Sequence, residues 1–205
     1  NPGAGGVGGA SDGFLIVGNS MIGFLGTFNN TPDFTGDFLG AGVSRVTFWL
    51  NHVSGDPLEI HLVIGTAFGT VWQYNEPFVP VAGEWRKYSA DISLNEADWT
   101  RILGGGSLAD ALTSGDRLLF RNDFAPYGQF PDAVAAELGI DNVRLIGSAC
   151  DCPADANDDG SVDFADLNFV LSDYNRSGQG YPGDVNFDGA VTFDDLNIVL
   201  GSYNQ

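Results

Sequence analysis

Between Gly13 and Gly147 the apolar residues fall in short runs rich in branched and aromatic side chains, and Gly, Pro, Asn and Asp fill the gaps. That pattern reads as strands joined by turns. It predicts strands near Gly13–Val17, Val43–His52, Leu58–Ile64, Thr70–Tyr74, Trp85–Ile92, Arg117–Arg121 and Ile140–Ile146. In the third run Leu58, Ile60, Leu62 and Ile64 alternate with Glu59 and His61, so one face is set for a core and the other is turned away. Only Glu96–Leu103 and Ser107–Leu112 read as helical, and both are short. Six to nine strands around one core predict a mainly β fold, a jelly roll or β-sandwich, over residues 13–147.

Beyond residue 147 the period changes. Leu167, Val170, Leu171 and Tyr174, and again Leu196, Val199, Leu200 and Tyr203, are spaced i, i+3, i+4, i+7, the stripe of an amphipathic helix. Neither helix can bury its stripe alone, so the two are expected to pack antiparallel. Each is preceded by the same loop. Asp155–Asn175 and Asp184–Asn204 share 13 of 21 positions at an offset of 29 residues, each reading D-x-N-x-D-G-x-V-x-F-x-D-L.

In a helix–loop–helix calcium loop, oxygen ligands come from positions 1, 3, 5, 7 and 12, and Gly at 6 makes the sharp turn. That register assigns Asp155, Asn157, Asp159, the Ser161 carbonyl and Asp166 to a first site, with Asp163 at position 9 acting directly or through water. It assigns Asp184, Asn186, Asp188, the Ala190 carbonyl and Asp195 to a second. Hard oxygen donors on flexible loops suit calcium over magnesium, so two Ca²⁺ ions are expected.

No entering helix precedes either loop, and position 12 is Asp rather than Glu. In both respects Asp155–Asn204 resembles a bacterial dockerin of type I, which implies a small α-helical calcium-binding module over 148–205. Where cohesin-binding dockerins usually carry small hydroxyl or other recognition residues, at positions 10 and 11, this chain has Phe164-Ala165 and Phe193-Asp194. The two phenylalanines are expected in the core, with an adhesive patch as the alternative. Upstream, Gly83–Tyr88 (GEWRKY), Trp99-Thr100-Arg101, Arg117–Arg121 (RLLFR) and Ile140–Leu145 (IDNVRL) follow the order seen in laminin B (laminin IV) domains, and the closing strand is similar to galactose-binding-type jelly rolls. The resemblance implies fold rather than function. Similar jelly rolls often hold a cation where Asp12 and Asp141 stand here; turn and cap roles are the other reading.

Charge narrows the function. The chain of 205 residues carries 27 acids against 8 bases, a net charge of −19, and its single lysine is Lys87. Residues 151–205 hold 11 acids and one base, so −10 of the total lies in the repeat. Such a surface repels nucleic acid and anionic membranes, and an acidic segment this short calls for a neutralising cation. No apolar run reaches the ~20 residues of a spanning helix.

A first residue other than Met, Asn1, fits an exported, extracellular chain with its leader removed. Cys150 and Cys152 are too few for a disulfide framework. The segment 1–12 is rich in Gly and costly to order, so either its own domain or a neighbouring subunit must hold it. No nucleophile elbow, phosphate loop or zinc spacing appears, and the two histidines, His52 and His61, sit in strands; the chain is therefore expected not to be an enzyme. Trp49, Trp72, Tyr74 and Tyr127 are candidates for stacking on sugar rings, against core packing.

The leading expectation is a non-catalytic extracellular structural protein, a self-assembling subunit of a filament or surface matrix, whose partner is itself or another surface protein. The alternative is a carbohydrate-binding module, its partner a glycan, attached to a surface or complex through its dockerin. The sandwich is expected to stand without calcium.

Overall fold

The computed structural model describes residues 2–147, 153–157, 161–178 and 180–203. Two antiparallel sheets face each other. The first has the order β1–β11–β4–β7, from β1 (Leu15–Gly18), β4 (Val43–Gly55), β7 (Arg86–Asp91) and β11 (Ala136–Gly147). The second has the order β3–β9–β5–β6–β8, from β3 (Gly26–Asn29), β5 (Ile60–Gly65), β6 (Val71–Tyr74), β8 (Trp99–Leu103) and β9 (Arg117–Asn122). A two-stranded ribbon pairs β2 (Gly23–Phe24) with β10 (Ala133–Val134) at the side.

Strands form in all seven predicted stretches, β2, β3 and β10 form where none was predicted, and one stretch expected to be helical is a strand. Glu96–Asp98 makes a single 3₁₀ turn, and Trp99–Leu103 continues as strand β8. Trp99 is buried and pairs with Tyr74 across β6, so the core claims a stretch whose local pattern had looked helical. The short helix α1 (Leu108–Thr113) starts on a capping box between Ser107 and Asp110.

Leu58, Ile60, Leu62 and Ile64 all point inward as the alternation required, joining Phe48, Leu50, Tyr88, Phe120 and Leu138 in one core. Truncating one of these to Ala costs roughly 2–5 kcal/mol. The opposite face is less open than alternation implied. His61 is buried there too, its ring 4.8 Å from that of Tyr127. The buried Arg121 guanidinium donates to Asp123 (2.6 Å) and to the carbonyls of Gly128, Gln129 and Phe130, folding that segment across the sheet. Burial holds the His61 imidazole below its ordinary pKa.

A second, smaller core collects Ala154, Ala156, Val162, Val170, Val185, Val191 and Val199. Helices α2 (Phe164–Asp173) and α3 (Phe193–Gly201) pack on each other around Val170 and Val199. Only part of each predicted stripe is covered: Leu167 and Leu196 are half-buried, while Leu171, Leu200 and Tyr174 are exposed. Two helices of ten and nine residues share a seam too narrow for four stripe positions each. Phe164 and Phe193 do not enter the core either; they are 61% and 60% exposed at the first residue of each helix, where the chain points away from the seam.

Candidate functional site

The second acidic loop is described in full, and its side chains organise it from within. Asp184 Oδ1 accepts the N–H of Asp188 (3.1 Å) and Oδ2 that of Gly189 (2.9 Å). Asn186 Oδ1 also accepts from Asp188 N, and Asp188 Oδ1 accepts from Ala190 N. Gly189, at position 6, has φ +87°, a backbone that only Gly adopts without strain. Asp195, fully buried at the third position of α3, accepts from Asn186 N (3.2 Å) and Thr192 N (2.8 Å).

These carboxylates crowd one another. Burial pushes the Asp184 carboxyl up to about 6, and the charges of Asp195 and Asp188 add to that push. Among the described residues no ion pair involves Asp184, Asp188 or Asp195. No three His, Cys, Asp or Glu side chains of the described residues close into a metal cage by themselves. The loop's donor set is instead mixed, with the Asn186 amide beside the Asp188 carboxylate. A carboxylate that accepts two N–H bonds still has lone pairs to offer, so the residues present fit a hard, oxygen-loving cation.

The first loop repeats the arrangement as far as it is described. Asp166, buried, accepts from Asn157 N (3.2 Å) and Asp163 N (2.9 Å). Asp163 takes the place of Thr192: its side chain caps α2 by accepting from Ala165 N (2.7 Å). Asp155 is buried and Ser161 lies at the loop's exposed end. Asp159, and with it Cys150 and Cys152, lies outside the described residues.

The candidate pair Asp12 and Asp141 does come together, around the Gly-rich N-terminal segment. Asp141 sits at a bulge in the pairing of β11 with β4 and accepts Val7 N (2.9 Å), while Asp12 accepts Gly8 N (2.8 Å). A Cβ on Gly6 would stand 2.6 Å from an oxygen of each carboxylate. Trp85 Nε1 donates to Gly5 O at 2.9 Å. The segment is therefore held by its own domain.

Of the proposed sugar-stacking aromatics, Trp49 and Trp72 are buried, Tyr74 packs on Phe78, and Tyr127 lies on His61. A different set lines the junction of the two cores. A cleft of about 300 Å³ runs between β7 and α2, lined by Trp85, Tyr181, Phe169, Arg86, Glu84 and Ser172 among others. A second, of about 290 Å³, lies between β7 and the second loop, with Tyr74, Phe187, Arg45 and Asp91 on its walls. Phe187 holds a left-handed φ of +59°, uncommon and strained for a bulky residue, with its ring 4.7 Å from the Arg45 guanidinium. Sequence reading had no means to single out Trp85, Phe169, Tyr181 or Phe187, because their grouping arises only when the module lies on the sandwich.

No family model matches the chain, and no curated protein is similar to it. Several solved structures align with part of the chain at low identity. The family 11 carbohydrate-binding module of a cellulosomal cellulase of Clostridium thermocellum aligns over 66% of this chain and 75% of its own, at 17% identity and a TM-score of 0.43. An exo-β-agarase aligns over 70% of this chain and 22% of its own, at 14% identity and a TM-score of 0.47. The L4b domain of human laminin α-2 aligns over 60% of this chain and 68% of its own, at 13% identity and a TM-score of 0.37. At these values the likeness brings no function with it.

Proposed function

We propose that this chain is a non-catalytic, extracellular binding protein in which a dockerin-type module holding two calcium ions is fixed to a β-sandwich that takes a neutral glycan. The observation that carries the glycan reading is the cleft where Trp85, Phe169 and Tyr181 converge with Glu84, Arg86 and Ser172. Aromatic faces beside mixed donors and acceptors suit the alternating C–H faces and hydroxyl rims of sugar rings. The net charge of −19 disfavours polyanionic glycans. Calcium occupancy rests on the buried carboxylates of the two loops, with Asp188 and Asp195 repelling Asp184 in the second; Asp155, Asn157, Asp159, Ser161 and Asp166 would hold one ion and Asp184, Asn186, Asp188, Ala190 and Asp195 the other.

Titration calorimetry against a panel of neutral β-glucans, galactans and mannans, with and without calcium, tests the reading. Binding to at least one that Tyr181→Ala removes is expected. No binding to any, in a protein that does take up calcium, would remove the glycan reading.

Self-assembly stays a second reading on one observation: the exposed Phe164–Leu171 and Phe193–Leu200 pairs give the module two matching apolar strips. The N-terminal segment no longer argues for it, since its order is accounted for within one chain. No helix of the described residues is long and apolar enough to cross a membrane. Sedimentation of the calcium-loaded protein over a concentration series separates the readings, because a filament subunit grows and a monomeric glycan binder does not.

A further inference from the structure

Among the described residues no helix leads into either acidic loop, and strand β7 of the sandwich bonds to the approaches of both. Strand β7 is the outer strand of its sheet, and Lys87 on it reaches the approaches to both loops. Its Nζ donates to the carbonyls of Asp155 (3.3 Å) and Ala156 (3.4 Å), the first two positions of the first loop. Its backbone N–H donates to Gly180 O (3.2 Å), four residues before the second loop begins at Asp184. The same ammonium lies 6.0 Å from the ring centre of Phe187, inside that second loop.

The surrounding contacts repeat the theme. Arg86 stacks on Tyr181 at 4.5 Å, Arg45 on Phe187 at 4.7 Å, and Trp49 meets Phe169 edge-on at 6.5 Å. Three of the chain's eight basic residues thus face a module whose net charge is −10. Lys87 is only 6% exposed, a position that lysines almost never take unless their hydrogen bonds and charge are used.

We infer that β7 serves both calcium loops in place of an entering helix, with Lys87 as the positioning residue, so that calcium binding and seating of the module on the sandwich are one coupled equilibrium. The inference rests on the calcium reading above and adds its regulation. A loop held at its start spends more of its time in the binding conformation, and its apparent affinity rises in proportion. By reciprocity, calcium must then tighten the seat on the sandwich. The two clefts flank β7 and take walls from both parts, so their shape follows calcium as well.

Competition against a chromophoric calcium chelator, on the full chain, tests the coupling. Lys87→Met is expected to lower calcium affinity about tenfold, within the range of ordinary site-to-site coupling, with the far-ultraviolet β signal intact. A lysine acting only as a competing cation would give the opposite sign, since its removal would raise affinity. Gly180→Ala attacks the same seat from the module side: φ is +82° there, and a Cβ would stand 2.7 Å from Arg86 Cβ. It is expected to lower affinity too, and it keeps the inference testable if Lys87→Met does not fold. The double variant should lose little more than either single one, because both act through the same seat.

Calcium should also raise the unfolding midpoint of the β signal in the natural chain and not in Lys87→Met. Affinity unchanged or raised in both single variants, or a β midpoint that ignores calcium in the natural chain, overturns the coupling. A natural chain that takes up no calcium overturns the calcium reading itself, a distinguishable result.

Discussion

Asn186 donates its backbone N–H to the Asp195 carboxylate at 3.2 Å, and Asn157 makes the same bond to Asp166 at the same distance. In each repeat the other carboxylate oxygen takes the N–H of the helix's N-cap residue, Thr192 or Asp163. One buried aspartate thus ties the middle of its loop to the first turn of the following helix. Asp195→Ala should break three things at once: a proposed cation ligand, the capping box of α3 and the partners of two partly buried N–H groups. A loss of about 2–4 kcal/mol in module stability is expected, from ~1 for the cap and 1–3 for the orphaned donors. Circular dichroism during calcium titration checks it; Asp188→Ala, on an exposed ligand, should weaken binding at that loop with a smaller loss of helix.

The Asp184 carboxyl, raised to about 6 by burial and by its acidic neighbours, predicts the pH response of the calcium-free module. Its pKa lies near 3.9 when unfolded, so between roughly pH 4 and 6 the folded form binds the extra proton. That contribution is fully present below about pH 4 and is lost as pH rises through about 6. In chelator, helix stability should therefore rise as pH is lowered from 7 to 5. Calcium affinity should fall over the same window, because the ion must displace that proton. Urea melts at pH 5, 6 and 7, with and without calcium, would show whether the two trends run in opposite directions.

Deleting residues 1–10 takes away the N–H donors that Val7 and Gly8 give to Asp141 and Asp12. Two neighbouring carboxylates then face each other with only water between them. The sandwich should lose about 1–3 kcal/mol, at roughly 2–4 °C per kcal/mol for a chain of this size, while its sedimentation coefficient stays that of the parent's oligomeric state. Trp85 loses its partner Gly5 O, so its fluorescence should shift to the red. A truncated protein that melts at the parent temperature would refute the intramolecular anchor.

Phe164→Ser and Phe193→Ser should change module stability by no more than ~0.5 kcal/mol each, since both rings already lie in solvent. If either residue is instead used to hold a second copy, the substitution will lower the association constant without touching the melt. Calorimetric unfolding and a sedimentation series on the same preparations decide this.

Arg121→Met should be among the most damaging substitutions in the sandwich. It leaves Asp123 buried beside no cation and frees the carbonyls of Gly128, Gln129 and Phe130. A cost of about 3–5 kcal/mol is expected for breaking a buried pair from one side, visible as a shift in the chemical-denaturation midpoint.

The alternation of Leu58, Ile60, Leu62 and Ile64 fixed both a strand and the side of it that meets the core, because side-chain direction in a strand follows residue parity alone. In the repeated loop Gly189 takes its positive φ at position 6, where the register places the sharp turn, since that feature depends on neighbours within a dozen residues. Partners set by packing were hidden. Whether Phe164 turns inward or out depends on the width of the α2–α3 seam, and whether His61 is exposed depends on a segment that Arg121 draws across the sheet from sixty residues away.

Sequence by itself therefore determined the class of each half, β-sandwich and paired acidic loops, through period, turn chemistry and spacing, all of which act locally. The place of Lys87 was decided only by tertiary structure. Nothing in its strand distinguishes the chain's one lysine, and its hydrogen bonds to Asp155, Ala156 and Gly180 exist because two cores, each already formed by local rules, meet along β7.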